Sequence, residues 1–189
     1  MRVISGIYKR RQLATLPGNL ITRPTADRIK ESLFNIIASE IHNSNVLDLF
    51  SGSGSLGIEA LSRGAHKVIF VEQHPDAVKV IQENLKKLQI PDDKFIIIKN
   101  DVSNFLKSFN FDIKIDIVFA DPPYSTEWYK NALNEIEHSK ILNNNCTVIF
   151  EMPANYDFHL QFYSRDWRMT DKRNYGKTKL EIWQKGTHE

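Results

Sequence analysis

Residues 46–57 read VLDLFSGSGSLG: a short apolar run broken by one carboxylate, then three glycines, Gly52, Gly54 and Gly57, spaced G-x-G-x-x-G. The apolar run predicts a strand over 46–50, and the glycines open a helix over 56–63. Taken alone, this spacing marks either a tight strand-to-helix turn or a place where a ligand touches backbone that carries no Cβ. Asp48 narrows the choice. It stands four residues ahead of the first glycine, where its charge would repel a pyrophosphate and suits a cationic ligand.

Outward from this stretch, apolar runs alternate with amphipathic ones. Further strands are expected over 68–72, 95–98, 115–120 and 147–150. Ala77, Val78, Ile81, Leu85 and Leu88 recur at helical spacing, which predicts a helix over 76–88. Shorter helical patterns follow near 103–109 and over 126–137. Strands that are apolar throughout and separated by helices imply a mostly parallel sheet covered on both faces. Residues 160–170 and 177–184 read as a closing antiparallel hairpin, which brings the sheet to seven strands. Ahead of the sheet, 3–14 suggests a small β-hairpin, and Thr25 is placed to cap a helix over 26–41. The expected organisation is a basic N-terminal extension over 1–43 and an α/β, Rossmann-like domain over 44–189.

The charge is unevenly spread. The 189 residues carry a net +2, but residues 1–30 are +6, residues 31–164 are −7 and residues 165–189 are +3. If the two basic ends meet in space they form a patch suited to nucleic acid. Lys9, Arg10 and Arg11 are the densest cluster, with Arg165, Arg168, Lys172 and Arg173 as candidate partners. Other classes recede. There is no apolar run long enough to span a membrane and no leader-like N-terminus, so a cytoplasmic protein is expected. Cys146 is the single cysteine and lies in the apolar run CTVIF, which suggests a buried, inert thiol. The six histidines lack metal-ligand spacing, so no metal is expected.

Four acids carry the functional reading. Asp48, Glu72, Asp101 and Asp121 each lie at or just past the end of a predicted strand. Ligands of open α/β sheets bind beyond these carboxyl ends. S-adenosylmethionine, with its ammonium and sulfonium, fits Asp48. Glu72 is placed to accept from both ribose hydroxyls. Asp101 is placed to accept from the adenine amine, with Val102 offering a backbone N–H. Asp121-Pro122-Pro123-Tyr124 is the sharpest motif. Two prolines remove two donors and fix the backbone, so the segment presents acceptors beside an aromatic ring. Asp121 and the Pro122 carbonyl would accept from an exocyclic amine, and Tyr124 would stack on the base for about 1–3 kcal/mol.

Together, DLFSGSGSLGIEAL, VEQHPDAV, NDV and DPPY resemble the ordered motifs of class I S-adenosylmethionine-dependent methyltransferases. RVISGIYKRRQL, followed by RPTADRIKESLFNII and the closing YGKTKLEIWQ, is similar to the RsmD family, bacterial guanine-N2 methyltransferases of 16S ribosomal RNA. The resemblance runs from Arg2 to Gln184. It implies a monomer that methylates one guanine on an assembled or partly assembled small subunit, releasing S-adenosylhomocysteine. By motif position, Asp48, Phe50, Gly52, Gly54, Glu72, Asp101 and Val102 bind the cofactor, and Asp121 to Tyr124 hold the base. Arg23, Thr25 and Arg28 are implied to lie near cofactor or target. Relatives often carry FAGSGALG where this chain has FSGSGSLG; Ser51 and Ser55 are small enough to fit.

Three other readings stay open on sequence. DPPY suits the adenine N6 amine as well as the guanine N2 amine, although no segment is large enough for a separate DNA-recognition domain. An NAD-dependent oxidoreductase would share the glycines but not Asp48 or DPPY. A non-catalytic RNA-binding assembly factor would use the cofactor only to stabilise its fold.

Overall fold

The computed structural model describes residues 1–16, 24–109, 112–122, 135–156 and 167–186, and the side chains of residues 24–26 are not among those described. In chain order the elements are α1 (Pro24–Ile36), β1 (Asn45–Leu49), α2 (Ser55–Ser62), β2 (Lys67–Glu72), α3 (Pro75–Lys87), β3 (Phe95–Lys99), α4 (Val102–Ser108), β4 (Ile115–Ala120), β5 (Leu142–Pro153), β6 (Trp167–Tyr175) and β7 (Thr178–Lys185). The strands form one sheet of order β3-β2-β1-β4-β5-β7-β6. The first five strands in that order run parallel. β7 and β6 close the sheet antiparallel. This is the α/β, mostly parallel, seven-stranded architecture expected from the sequence, with its direction switch between β1 and β4.

Period-two alternation divides the core. Val46, Val68, Phe70, Ile117, Phe119 and Ile149 face one side, packed under α1, α2 and α3 through Leu33, Phe34, Ile58, Ile81 and Leu85. Leu47, Leu49, Ile69, Val71, Val118 and Phe150 face the other, against Val102, Phe105 and Leu106 of α4. Val3 and Leu13 belong to the first cluster, so the N-terminal segment shares the core of the sheet. Cys146 is fully buried in the second, and burial pushes its thiol well above the usual range.

Several expected boundaries move. The N-terminal hairpin reduces to a single antiparallel bridge, Arg2 with Gln12. Its outward amides do not extend a ladder; Glu59 of α2 accepts from the N–H groups of Ile4 and Ser5 at 2.7 and 2.9 Å. Thr25 is not a cap: α1 begins one residue earlier, at Pro24, which suits the first turn because it has no N–H to leave unpaired. That helix also ends at Ile36 rather than 41, where residues 37–40 turn. β5 is much longer than 147–150, because β7 pairs with it as far as Pro153 opposite Thr178. β6 lies later than expected. Most of the helix expected over 126–137 lies outside the described residues.

Candidate functional site

The glycine turn is built by its surroundings. Gly52 and Gly54 have φ of 55° and 74°, and Phe50 also sits in the left-handed region at 59°. A non-glycine residue there marks a turn under constraint. Gly57 serves packing: a Cβ on it would lie 2.3 Å from Cε1 of Phe70. Asp48 is 2 % exposed, and its Oδ2 accepts from the Gly57 N–H at 2.9 Å. Burial pushes its carboxyl up to about 8, with Glu72 adding to the rise and the Gly57 bond opposing it. A buried carboxyl that resists ionisation gains most from a cation brought beside it.

Glu72 ends β2 and grips the loop from the other side. Its two oxygens accept from the N–H of Gly52 and of His74, each at 2.8 Å. Each oxygen keeps a lone pair for a further donor, as ribose hydroxyls require. Asp101 caps α4 by accepting from Asn104 N–H at 3.1 Å, and Val102 is buried behind it. A cavity of about 360 Å³ opens between them, lined by Phe50, Gly52, Glu72, His74, Asp101, Val102 and Asp121. A second, of about 300 Å³, is lined by Lys30, Asp48, Phe50, Gly52, Glu151 and Asp121, among others. Phe50, Gly52 and Asp121 are common to both, so the cavities adjoin at Asp121.

This pair of cavities fits S-adenosylmethionine on chemical grounds. The first offers acceptors for ribose and base, and the second offers the buried carboxyl of Asp48 with Glu151 and Asp121 beside it for positive charge. Asp121 is exposed at the cleft. Desolvation by the protein around its carboxyl, with Glu151 and Asp48 adding repulsion, still holds that carboxyl well above the usual range. Pro122 is buried beside it. Pro123, Tyr124 and Arg23 lie outside the described residues, and the side chain of Thr25 is not described.

Two residues at the site have no counterpart in the sequence expectations. Glu151, on β5, lines the second cavity. Its signal was available: an acid directly after the apolar run TVIF, the same pattern as Glu72 and Asp121. Lys30 of α1 is 6 % exposed and donates to the Arg2 carbonyl at 2.7 Å and to Ser55 Oγ at 3.1 Å. Its partner Glu59, 3.4 Å away, is fully buried and also pairs with Arg63 at 2.9 Å. Burial lowers the Lys30 ammonium below its ordinary value, and Glu59 opposes that shift. Its signal was also available: Lys30 stands three, four and seven residues before Leu33, Phe34 and Ile37, on the apolar stripe of the helix.

The described basic residues separate into three places. Arg28 is exposed on α1, and Arg2 pairs with Asp27 at 3.0 Å; all three border a shallow cavity with Met1, which also lines the second cavity. Lys9, Arg10 and Arg11 are exposed on a turn fastened to the opposite end of α2, where the Ile7 and Tyr8 N–H groups donate to the Ser62 carbonyl and Oγ. Eight helical residues separate that end from the glycine turn, about 12 Å at 1.5 Å per residue. Arg168, Lys172 and Arg173 lie on the edge strand β6. Arg165 lies outside the described residues. The two chain ends do touch, where Ser32 Oγ of α1 hydrogen-bonds the Tyr175 hydroxyl at the end of β6. Among the described residues no group of His, Cys, Asp and Glu is arranged to hold a metal ion, and no helix is long and apolar enough to cross a membrane.

Comparison with known proteins covers almost the whole chain. The family described as "Conserved hypothetical protein 95" matches residues 1–184. YlbH of Bacillus subtilis is 37% identical over 186 residues, 98% of this chain and 99% of that protein. "Ribosomal RNA small subunit methyltransferase D" of Haemophilus influenzae is 32% identical over 184 residues, 97% of this chain and 93% of that one. The solved structure of yhhF from Escherichia coli superposes with a TM-score of 0.85 at 27% identity, covering 100% of this chain and 99% of that one.

Proposed function

Because the chain belongs to the family described as "Conserved hypothetical protein 95", RsmD-type class I methyltransferases, we propose that it methylates the exocyclic N2 amine of one guanine in 16S ribosomal RNA. S-adenosylmethionine is the donor on this reading, and an assembled or partly assembled small subunit is the substrate. The observation that carries it is the meeting of two cavities at Asp121, one lined by Glu72 and Asp101 and the other by Asp48 and Glu151. The naming of the Haemophilus relative for the small-subunit RNA supports the target.

S-adenosylmethionine supplies an electrophilic methyl and leaves as the neutral thioether S-adenosylhomocysteine. Glu72 would hold the ribose while its bonds to Gly52 and His74 fix the glycine turn. Asp101 and Val102 would hold the adenine, and Asp48 the positive charge. The guanine amine is a weak nucleophile because its lone pair is shared with the ring. Asp121 and the Pro122 carbonyl, as acceptors, favour a pyramidal nitrogen whose lone pair points at the methyl. The N–C bond forms as the C–S bond breaks, and the product nitrogen then sheds its proton to Asp121 or water. Positioning and electrostatic stabilisation supply the rate, more than acid–base chemistry. The base must leave its stack to reach Asp121, and Tyr124 would receive it.

The test is transfer of labelled methyl from S-adenosylmethionine to small subunits lacking the modification, to naked 16S RNA and to DNA. Incorporation into the subunits and not the DNA is expected. Label confined to DNA, or none above a no-enzyme control, overturns the reading.

A further inference from the structure

Glu151 stands beside Asp121 by construction. β4 and β5 run parallel with Ala120 opposite Phe150 as the last pair, so Asp121, just past the end of β4, and Glu151, the next residue of β5, emerge side by side at the sheet's carboxyl edge. Phe119 and Ile149, two residues earlier, face the same core. The alternation of side chains along β5 turns Glu151 to that same side, where Asp121 joins it. Both line the cavity that also holds Asp48. The carbonyl of Pro122 follows at once in the chain. The wall facing a target base is therefore acceptors side by side, on two strands.

That wall matches one purine edge better than another. On its Watson–Crick edge guanine presents the ring N1–H directly beside the N2 amine, two adjacent donors. Adenine presents its amine beside N1, an acceptor, which would face a carboxylate lone pair to lone pair. Resting on the guanine reading above, we propose that Glu151 is the residue that selects the base, accepting the N1–H of guanine while Asp121 and the Pro122 carbonyl hold the amine. Glu151 thus touches the substrate without acting on the methyl. Burial pushes the Glu151 carboxyl up, and Asp121 is pushed up by burial and by Glu151. Donor hydrogens from a base relieve that repulsion, and an acceptor nitrogen does not.

The test compares small subunits reconstituted with guanine or with 2-aminopurine at the modified nucleotide. The analogue keeps the 2-amine but has no N1–H. The wild-type protein should prefer guanine in kcat/KM by at least about 100-fold, as a site built around a substrate donor rejects an analogue lacking it. Glu151→Gln, with its melting temperature and S-adenosylmethionine binding measured alongside, should reduce that preference to below about tenfold, because its amide can donate to the analogue's N1 as well as accept from guanine's N1–H. A folded Glu151→Gln protein with the wild-type ratio overturns the proposal. So does a wild-type protein that methylates both bases equally, a result that needs no variant to fold. Wild-type protein that transfers no methyl to guanine refutes the guanine reading itself, and Glu151's role with it.

Discussion

The two ends of α2 do opposite work. At its N-terminus lie the glycine turn and the carboxyls of Asp48, Asp121 and Glu151, a crowded and acidic cleft. At its C-terminus, Ser62 fastens a turn that exposes Lys9, Arg10 and Arg11, with Ile7 79 % exposed at its tip. One end suits a small cationic ligand and a flipped base, and the other suits phosphates. On the proposed function, sorting charges along a rigid helix is what would let a chain of small net charge engage RNA. Glu59, midway along α2, is the joint, since it takes the Ile4 and Ser5 amides together with Lys30 and Arg63.

Breaking the joint should have the largest effect. Glu59→Ala leaves Lys30 buried without its carboxylate and two amides without an acceptor. It should cost about 3–5 kcal/mol, read as a lower urea midpoint. A midpoint within experimental error of wild type would detach the N-terminal segment from the account.

At the acidic end, Asp121→Ala should lower kcat about 100- to 1,000-fold, the scale for losing one preorganised polar group, while binding of S-adenosylmethionine persists. Lost cofactor binding with full turnover per bound complex would contradict its role.

Asp48 sharpens the same end differently. Its carboxyl is raised to about 8 in the folded protein, against an ordinary value of 3.8. The folded state therefore holds the proton more tightly than the unfolded chain, and this group's contribution to stability falls as pH rises from about 4 to 8. Asp48→Asn, which keeps the Gly57 bond, should raise Tm by about 2–4 °C, as expected for about 1 kcal/mol in a domain of this size. It should also weaken S-adenosylmethionine at least about tenfold. In the wild type, affinity for this cation should climb with pH and level off above about 8. Equal affinity at pH 6 and 8 by calorimetry would remove the charge role.

The smallest effect belongs to the basic end. Changing Lys9, Arg10 and Arg11 to Ala should weaken subunit binding and flatten its salt dependence by about one logarithmic slope unit for each phosphate the variant no longer holds. The kcat on bound subunits should hold, because the turn lies a helix length from Asp121. An unchanged slope would move the docking surface elsewhere, with Arg2, Arg28 and β6 the next places to probe.

Much of this was legible in the sequence because it follows from local pattern. Unbroken apolar runs give parallel strands, glycines give the turn, and acids at strand ends give the rim. Pairings between distant segments were not legible. The N-terminal amides go to Glu59, more than fifty positions away, so the hairpin never becomes a ladder. Helical spacing puts Lys30 on the inward face, but the groups that satisfy it there, Arg2, Ser55 and Glu59, come from distant segments. Glu151 was missed although its local pattern matched, because pairing with β7 carries β5 past it to Pro153. It is a residue within a strand and a member of the cleft at once. The distance between the basic turn and the cleft depends on which end of α2 holds the turn, and no spacing rule encodes that.

The identity of the methylated atom separates guanine from adenine chemistry most directly. Subunits from cells lacking this protein should be incubated with it and S-adenosylmethionine, and the 16S RNA digested and mapped by mass spectrometry. N2-methylguanosine at a single position is the expected product. N6-methyladenosine, or methylated guanine at many positions, would contradict the proposed function.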